Sequence, residues 1–210
     1  MLKIIDNSLN DSLLISIQEN IESEFMPWYF LKNSAVTDDK ELVKQNRLNY
    51  SFYHKVLDKG NPNEVFSPHI LDMTNSIGLI LKDLFELEKT YNVVRLRWGM
   101  TTTLNKIHKH DPHTDIRIPH KVILFYLNDT DGDTYFYDKK HKIIDSVTPK
   151  ENRAVLFDGL ILHSSSKPIE FAKRIVLNIN LMKEQNDKES EIRTQTDESK
   201  TYSQDYGRTT

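Results

Sequence analysis

The densest polar chemistry in this 210-residue protein lies in one stretch, Ile107-His108-Lys109-His110-Asp111-Pro112-His113-Thr114-Asp115. It offers three candidate metal pairs: His108 with His110, Asp111 with His113, and His113 with Asp115. In a β-strand residues i and i+2 point to the same face, so each pair could present two ligands to one ion. On this stretch alone an exposed polar loop is the preferred reading, because an isolated His-x-Asp triplet arises by chance in many sequences.

Two later residues change the balance. His163 ends the apolar segment Val155-Leu156-Phe157-Asp158-Gly159-Leu160-Ile161-Leu162, and Arg174, eleven residues on, opens the apolar run Ile175–Leu181. Taken singly, His163 reads as a satisfied core histidine and Arg174 as an exposed flank. Their order after His113 and Asp115 is a more demanding coincidence. Two imidazoles and one carboxylate on one face of an iron(II) ion leave three positions open for a chelating cosubstrate and oxygen. A buried Arg offers a bidentate fork for the far carboxylate of a dicarboxylic acid.

Such residues need a scaffold. Asn10 can cap a helix in which Leu13, Leu14, Ile17, Ile21 and Phe25 recur at helical spacing. Pro27 ends it, and Trp28-Tyr29-Phe30 suggests a short strand. Residues 33–66 are polar and carry no clear period. A second helix opens at Ser67-Pro68, with Ile70, Met73, Ile77, Ile80, Leu81, Leu84 and Phe85 on one side. After Tyr91 the pattern turns to short β-branched and aromatic runs: 93–98, 122–126, 134–137, 154–157 and 175–181, separated by Asp-, Gly- and Lys-rich turns. The fold class is therefore mainly β (α+β), a barrel or two-sheet jelly roll with N-terminal helices packed on one outer face.

Composition narrows the function classes. There is no cysteine, which excludes a disulfide scaffold, a thiolate zinc site, an iron–sulfur centre and a Cys nucleophile. No apolar run approaches the roughly 18–20 residues of a membrane helix, and no signal-peptide pattern opens the sequence, so a cytoplasmic protein is expected. Residues 184–210 carry seven acids against four bases and almost nothing to bury, and they read as a disordered tail. Phosphate-binding glycine loops, H-E-x-x-H and G-x-S-x-G are absent, which disfavours kinase, zinc-protease and serine-hydrolase chemistry.

Read together, these stretches resemble the iron(II)- and 2-oxoglutarate-dependent oxygenases, in particular the prolyl-4-hydroxylase-like branch and its short bacteriophage versions. The matching pieces are His113-Thr114-Asp115, the strand Phe125-Tyr126-Leu127-Asn128, the turn Asp131-Gly132-Asp133-Thr134, and Pro149 to Gly159 leading to His163 and Arg174. They span about residues 93–182. The resemblance implies a double-stranded β-helix over residues 91–183, with residues 1–90 as a helical support. It implies iron(II), Fe(2+), held by His113, Asp115 and His163, and 2-oxoglutarate paired with Arg174 through its C5 carboxylate. Tyr126 is implied as a second contact to that carboxylate. One departure stands out: some relatives carry a hydroxyl residue two positions after the arginine, where this sequence has Val176. The implied reaction couples O2 and oxidative decarboxylation of 2-oxoglutarate to hydroxylation of a substrate, with release of succinate and carbon dioxide. A protein or peptide side chain, proline among the candidates, is the first expectation for that substrate, and a bacterial or phage-infected cytoplasm for the setting.

Other chemistry-bearing residues take lesser parts. His108 and His110 are expected at the mouth of the site, His120 in a loop or strand start. Asp129, Asp131 and Asp133 mimic the start of a calcium loop but lack its glycine and terminal glutamate, so a hairpin turn is expected. Trp28, Tyr29 and Trp98 read as core aromatics before pocket walls. Across residues 95–121, Arg95, Arg97, Lys106, Lys109, Arg117 and Lys121 outnumber Asp111 and Asp115. This basic cluster serves 2-oxoglutarate, lies on outward strand faces, or attracts an acidic or nucleic-acid substrate. Two rival readings remain: a cupin-like metal enzyme not using 2-oxoglutarate, and a non-catalytic jelly-roll binding module.

Overall fold

Strands β5 (Lys121–Tyr126) and β10 (Lys173–Lys183) are buried on both faces, and that fixes the architecture around them. A strand buried on both sides lies in a sheet covered on both sides. In the computed structural model, which describes residues 2–34, 48–60 and 68–184, one seven-stranded antiparallel sheet has that position. Its order is β1-β8-β5-β10-β4-β3-β2, with β1 at Lys3–Ile5, β2 at Tyr29–Leu31, β3 at Ser51–Asp58, β4 at Tyr91–Thr102 and β8 at Arg153–Asp158. A three-stranded sheet, β7-β6-β9, packs on its inner face, with β6 at Thr134–Tyr137, β7 at Ile143–Val147 and β9 at Leu162–Ser165. This is the expected jelly roll.

Alternation along the strands divides the core in two. Ile123, Phe125, Leu127, Ile175, Leu177 and Ile179 cluster with helix residues Leu14, Ile17, Ile21, Ile77 and Leu81. Their neighbours Val122, Leu124, Tyr126 and Val176 pack against Phe136, Val147 and Phe157 between the sheets. Helix α1 (Asp11–Ile21) starts where Asn10 Oδ1 accepts the Leu13 N–H (3.0 Å), as expected. It ends before Phe25, which is 83% exposed, so the expected apolar stripe is one residue too long. Helix α2 (Pro68–Leu84) buries Ile70, Thr74, Ile77 and Leu81, with Phe85 just beyond its end. Ile80 and Leu84, expected on that stripe, are 41% exposed. Thr74 holds its core position because its Oγ1 accepts the indole N–H of the fully buried Trp98 (3.1 Å). No helix among the described residues is long and apolar enough to cross a membrane.

Four strands, β1, β3, β7 and β9, escape the sequence pattern, and β9 does so because it is only four residues long. β1 is only three residues long, and β7 is an exposed edge. β3 carries a register shift between Lys55 and Leu57 that breaks its period of two. The turn at Asp129–Asp133 is a crossing from the large sheet to the small one, since β5 and β6 lie in different sheets. Two of its carboxylates are taken by backbone: Asp129 accepts Glu151 N–H (2.8 Å), and Asp131 accepts those of Ile169 and Glu170. Ser67, at the expected opening of the second helix, and the tail from Gln185 onward lie outside the described residues.

Asn152 ties the segment between β1 and α1 to the start of β8. It adopts φ 59°, and its buried side chain accepts Leu9 N–H (2.8 Å) and donates to Leu9 O (2.8 Å). Asn152→Ala is expected to cost about 2–4 kcal/mol in urea denaturation, from the left-handed backbone and the orphaned Leu9 groups together. Asn152→Gly, which keeps the backbone at ease, is expected to cost less.

Candidate metal centre and its cavity

Every second residue of β10 from Arg174 onward, namely Arg174, Val176, Asn178 and Asn180, is excluded from the helix-facing cluster. These side chains face the interior of the jelly roll, and the candidate site is built upon them. His113 is brought to β9 by a two-way backbone bridge: His113 N–H donates to His163 O (3.0 Å) and His163 N–H to His113 O (2.9 Å). The two rings lie 4.9 Å apart. Ligand atoms of His113, Asp115 and His163 all fall within 4.8 Å of one another, an arrangement that could hold a metal ion.

The hydrogen-bond partners behind these three side chains set the chemistry of each. His113 Nδ1 lies 3.1 Å from Asp111 O, and His163 Nδ1 lies 3.0 Å from Ile161 O. A carbonyl only accepts, so each Nδ1 carries a proton, which leaves Nε2 as the atom of each ring available to a metal. Asp115 Oδ1 accepts from Arg95 Nη2 (3.0 Å), and Oδ2 accepts from the amides of Asn178 (2.9 Å) and Asn180 (3.0 Å). Burial alone would raise the Asp115 carboxyl, but Arg95, with His163, His113 and Arg97, outweighs it and holds the group well below the usual range. Burial, and then the neighbouring His163, push His113 down to about 4. The set is therefore two candidate nitrogen donors and an ionised carboxylate.

In the metal-free protein the depressed His113 makes stability depend on pH. Below pH 6.5 the unfolded state protonates His113 while the folded state does not, so stability falls with pH until about 4. The loss from this residue is about 3 kcal/mol across that window. His110, also pushed down by burial, adds with the same sign. Urea denaturation at pH 7 and pH 4.5 is expected to show the loss, and His113→Gln to show a smaller one. Equal profiles for the two proteins would contradict the assignment.

Beside the triad opens a cavity of about 80 Å³. Arg174 lines it, with Leu124, Thr134 and Val176. The guanidinium is buried; Nε donates to Gly132 O (2.8 Å) and Nη2 to Thr134 Oγ1 (2.9 Å). Tyr126, expected as a carboxylate contact, lies outside the cavity lining. Its hydroxyl meets Thr134 Oγ1 at 2.8 Å, and Arg174 stacks 5.4 Å over its ring. Tyr126 thus positions Arg174 from behind, while Thr134 meets the cavity.

Of the remaining sequence candidates, His110 lines the cavity with Nδ1 3.0 Å from Ser165 Oγ. His108 stands beside it, rings 5.6 Å apart. His120 is remote, its Nδ1 2.8 Å from Ile118 O and its ring filling the space a Cβ on Gly159 would need. Trp98 is core, whereas Tyr29 is half exposed. The basic cluster divides: Arg95 and Arg97 face the site, whereas Lys121 pairs with Asp158 and Lys109 stacks on Tyr135. Sequence reasoning missed Asn178 and Asn180 as holders of Asp115. Two amides at i and i+2 inside an apolar run were the available signal.

No family model matches the sequence, and no curated protein matches it either. Solved structures match it in fold. An oxidoreductase of the 2OG-Fe(II) oxygenase family from Burkholderia pseudomallei is 12% identical, with 86% of this chain and 84% of that one covered, at a TM-score of 0.64. A prolyl hydroxylase from Trichoplax adhaerens, solved with a hypoxia-inducible-factor peptide, is 15% identical over 87% of this chain and 83% of that one, at 0.59. HygX from Streptomyces hygroscopicus, solved with nickel and 2-oxoglutarate, is 10% identical over 86% and 82%, at 0.53. None of the three is a bacteriophage protein, and the expected phage source has no support from them. At these identities the likeness is one of fold, and the protein is built on the jelly-roll fold that 2-oxoglutarate/iron(II) oxygenases share.

Proposed function

We propose that the protein is an iron(II)- and 2-oxoglutarate-dependent oxygenase that hydroxylates a protein or peptide side chain, with residues 91–183 as the oxygenase core and 1–90 as its support. The observation that carries this reading is the clustering of His113, Asp115 and His163 ligand atoms within 4.8 Å beside a cavity lined by the buried Arg174. The donor set fits the ion: two imidazoles and one carboxylate are the ligands of non-haem iron(II) that leave positions open. Bound there, the iron would supply the oxidation that turns 2-oxoglutarate and O2 into succinate, carbon dioxide and a hydroxylated substrate.

The protein's own residues do the rest. Neutral His113 and ionised Asp115 are ready to ligate at neutral pH without first losing a proton. Arg95, Asn178 and Asn180 fix the carboxylate. Arg174 pairs with the C5 carboxylate of 2-oxoglutarate, joined by the Thr134 hydroxyl, and Tyr126 holds both in place. Val176 and Leu124 keep water from that end of the cavity. Val176 stands where some relatives carry a hydroxyl, and Thr134 supplies one from the facing sheet.

Gly132 makes room for this arrangement. A Cβ there would lie 2.9 Å from Ser166 O and 3.1 Å from Arg174 Cδ. Gly132→Ala is expected to cost about 1–3 kcal/mol in thermal denaturation and to raise the 2-oxoglutarate KM, because Arg174 must shift. The reading as a whole is tested by incubating protein, iron(II), ascorbate and 2-oxoglutarate in air and following succinate. Slow succinate formation without added substrate, stimulated by a peptide pool and lost in Asp115→Ala, is the expected result. Metal-dependent activity indifferent to 2-oxoglutarate would favour a cupin-like enzyme instead.

A further inference from the structure

Among the described residues, Arg97 is the one cavity-lining cation that the proposed reaction leaves without a task. It stands on β4 beside Asn178 of β10, on the interior face, and lines the cavity with Ser51, Thr101 and Arg174. Its neighbour Arg95 is paired with Asp115, but no hydrogen bond or ion pair joins the Arg97 guanidinium to any described residue. Nε is buried with no partner, as is Thr101 Oγ1. A guanidinium taken out of water is costly unless paired, and its planar fork matches a carboxylate. Burial, with Arg95 close by, lowers it to about 10, so it remains a cation at neutral pH. Among the described residues no Asp or Glu lines this cavity, so the protein supplies no partner from its walls.

We infer that Arg97 is a substrate-binding residue that receives a carboxylate of the molecule to be hydroxylated, with the Thr101 hydroxyl beside it. A carboxylate is favoured over a phosphate by charge. Arg174 is committed to the cosubstrate, and the other donors on this side, Ser34, Ser51 and Thr101, are neutral. One fixed cation matches a monoanion. The substrate class that follows is an acidic one: a side chain flanked by Asp or Glu, or one beside the terminal carboxylate of a peptide. This rests on the oxygenase reading for the word substrate, whereas the subsite itself can be tested without iron.

The probe is acetate, titrated into zinc(II)-loaded protein at saturating 2-oxoglutarate and followed at the Arg97 15Nε resonance. A parallel titration uses metal-free Arg174→Gln protein, which tests the subsite even if zinc and cosubstrate fail to bind. Saturable movement of Arg97 in both, weakened in Arg97→Lys and at least tenfold weaker in Arg97→Met by calorimetry, is the expected result. The 2-oxoglutarate affinity of Arg97→Met should stay within threefold of wild type. Three results would overturn the inference. Inorganic phosphate binding where acetate does not would indicate a phosphate-bearing substrate. A loss of 2-oxoglutarate affinity as large as that of an Arg174 variant would assign Arg97 to the cosubstrate. Weakened zinc binding with no acetate binding at all would leave Arg97 as a charge partner of Asp115 only.

Discussion

Asp115→Ala is expected to abolish iron(II) binding at this site, measured by anaerobic calorimetry, and to remove succinate formation with it. Changing an outer partner of a metal ligand typically costs about 10–100-fold in affinity, and losing the only anionic ligand should exceed that. The substitution does more than subtract a ligand. Arg95 loses the carboxylate it holds at 3.0 Å, and the Asn178 and Asn180 amides lose their shared acceptor. A positive cluster would then surround the two imidazoles and oppose any cation. Arg95→Met separates these effects: the ligand stays but its anchor goes, and a drop inside the 10–100-fold range is expected. Unchanged iron affinity in Asp115→Ala would remove the residue from the metal centre.

Arg174→Met should leave iron binding nearly intact and raise the 2-oxoglutarate requirement steeply. Truncating one member of a buried, hydrogen-bonded charge pair costs about 2–5 kcal/mol, or roughly 30-fold to several thousand-fold in affinity. Arg174→Lys keeps the charge but loses the fork that also bonds Gly132 O and Thr134 Oγ1, so an intermediate loss is expected. Thr134→Val is the informative companion, since it removes the hydroxyl that both Arg174 and Tyr126 use. A steady-state KM for 2-oxoglutarate that ignores Arg174 would disconnect this end of the cavity from the cosubstrate.

Much of this is readable from the sequence because β5, β6, β8 and β10 are marked by local composition. Their apolar runs are local signals. The sheet order is not, since β1 pairs with β8 across some 150 residues of sequence and β3 and β2 extend the same sheet from the N-terminal third. The triad is readable as residue types in order, while the bridge joining His113 to His163 is a tertiary feature that no spacing encodes. Arg95 and Arg97 show the same boundary. Their basic character is plain in the sequence, yet which face of β4 they take depends on the pairing with β10. Phe25, Ile80 and Leu84 fail in the opposite direction: helical spacing continues into residues that have no partner layer to cover them.

The central claim is that His113, Asp115 and His163 hold one ion with open positions that 2-oxoglutarate chelates, anchored by Arg174. Anaerobic titration of the purified 210-residue protein with iron(II), then 2-oxoglutarate, tests it most directly, because the chelate on such a site has a weak visible absorption band. The band should appear in wild type, be absent in Asp115→Ala, and need far more cosubstrate in Arg174→Met. Iron(II) binding at the triad with no band at any 2-oxoglutarate concentration would contradict the account.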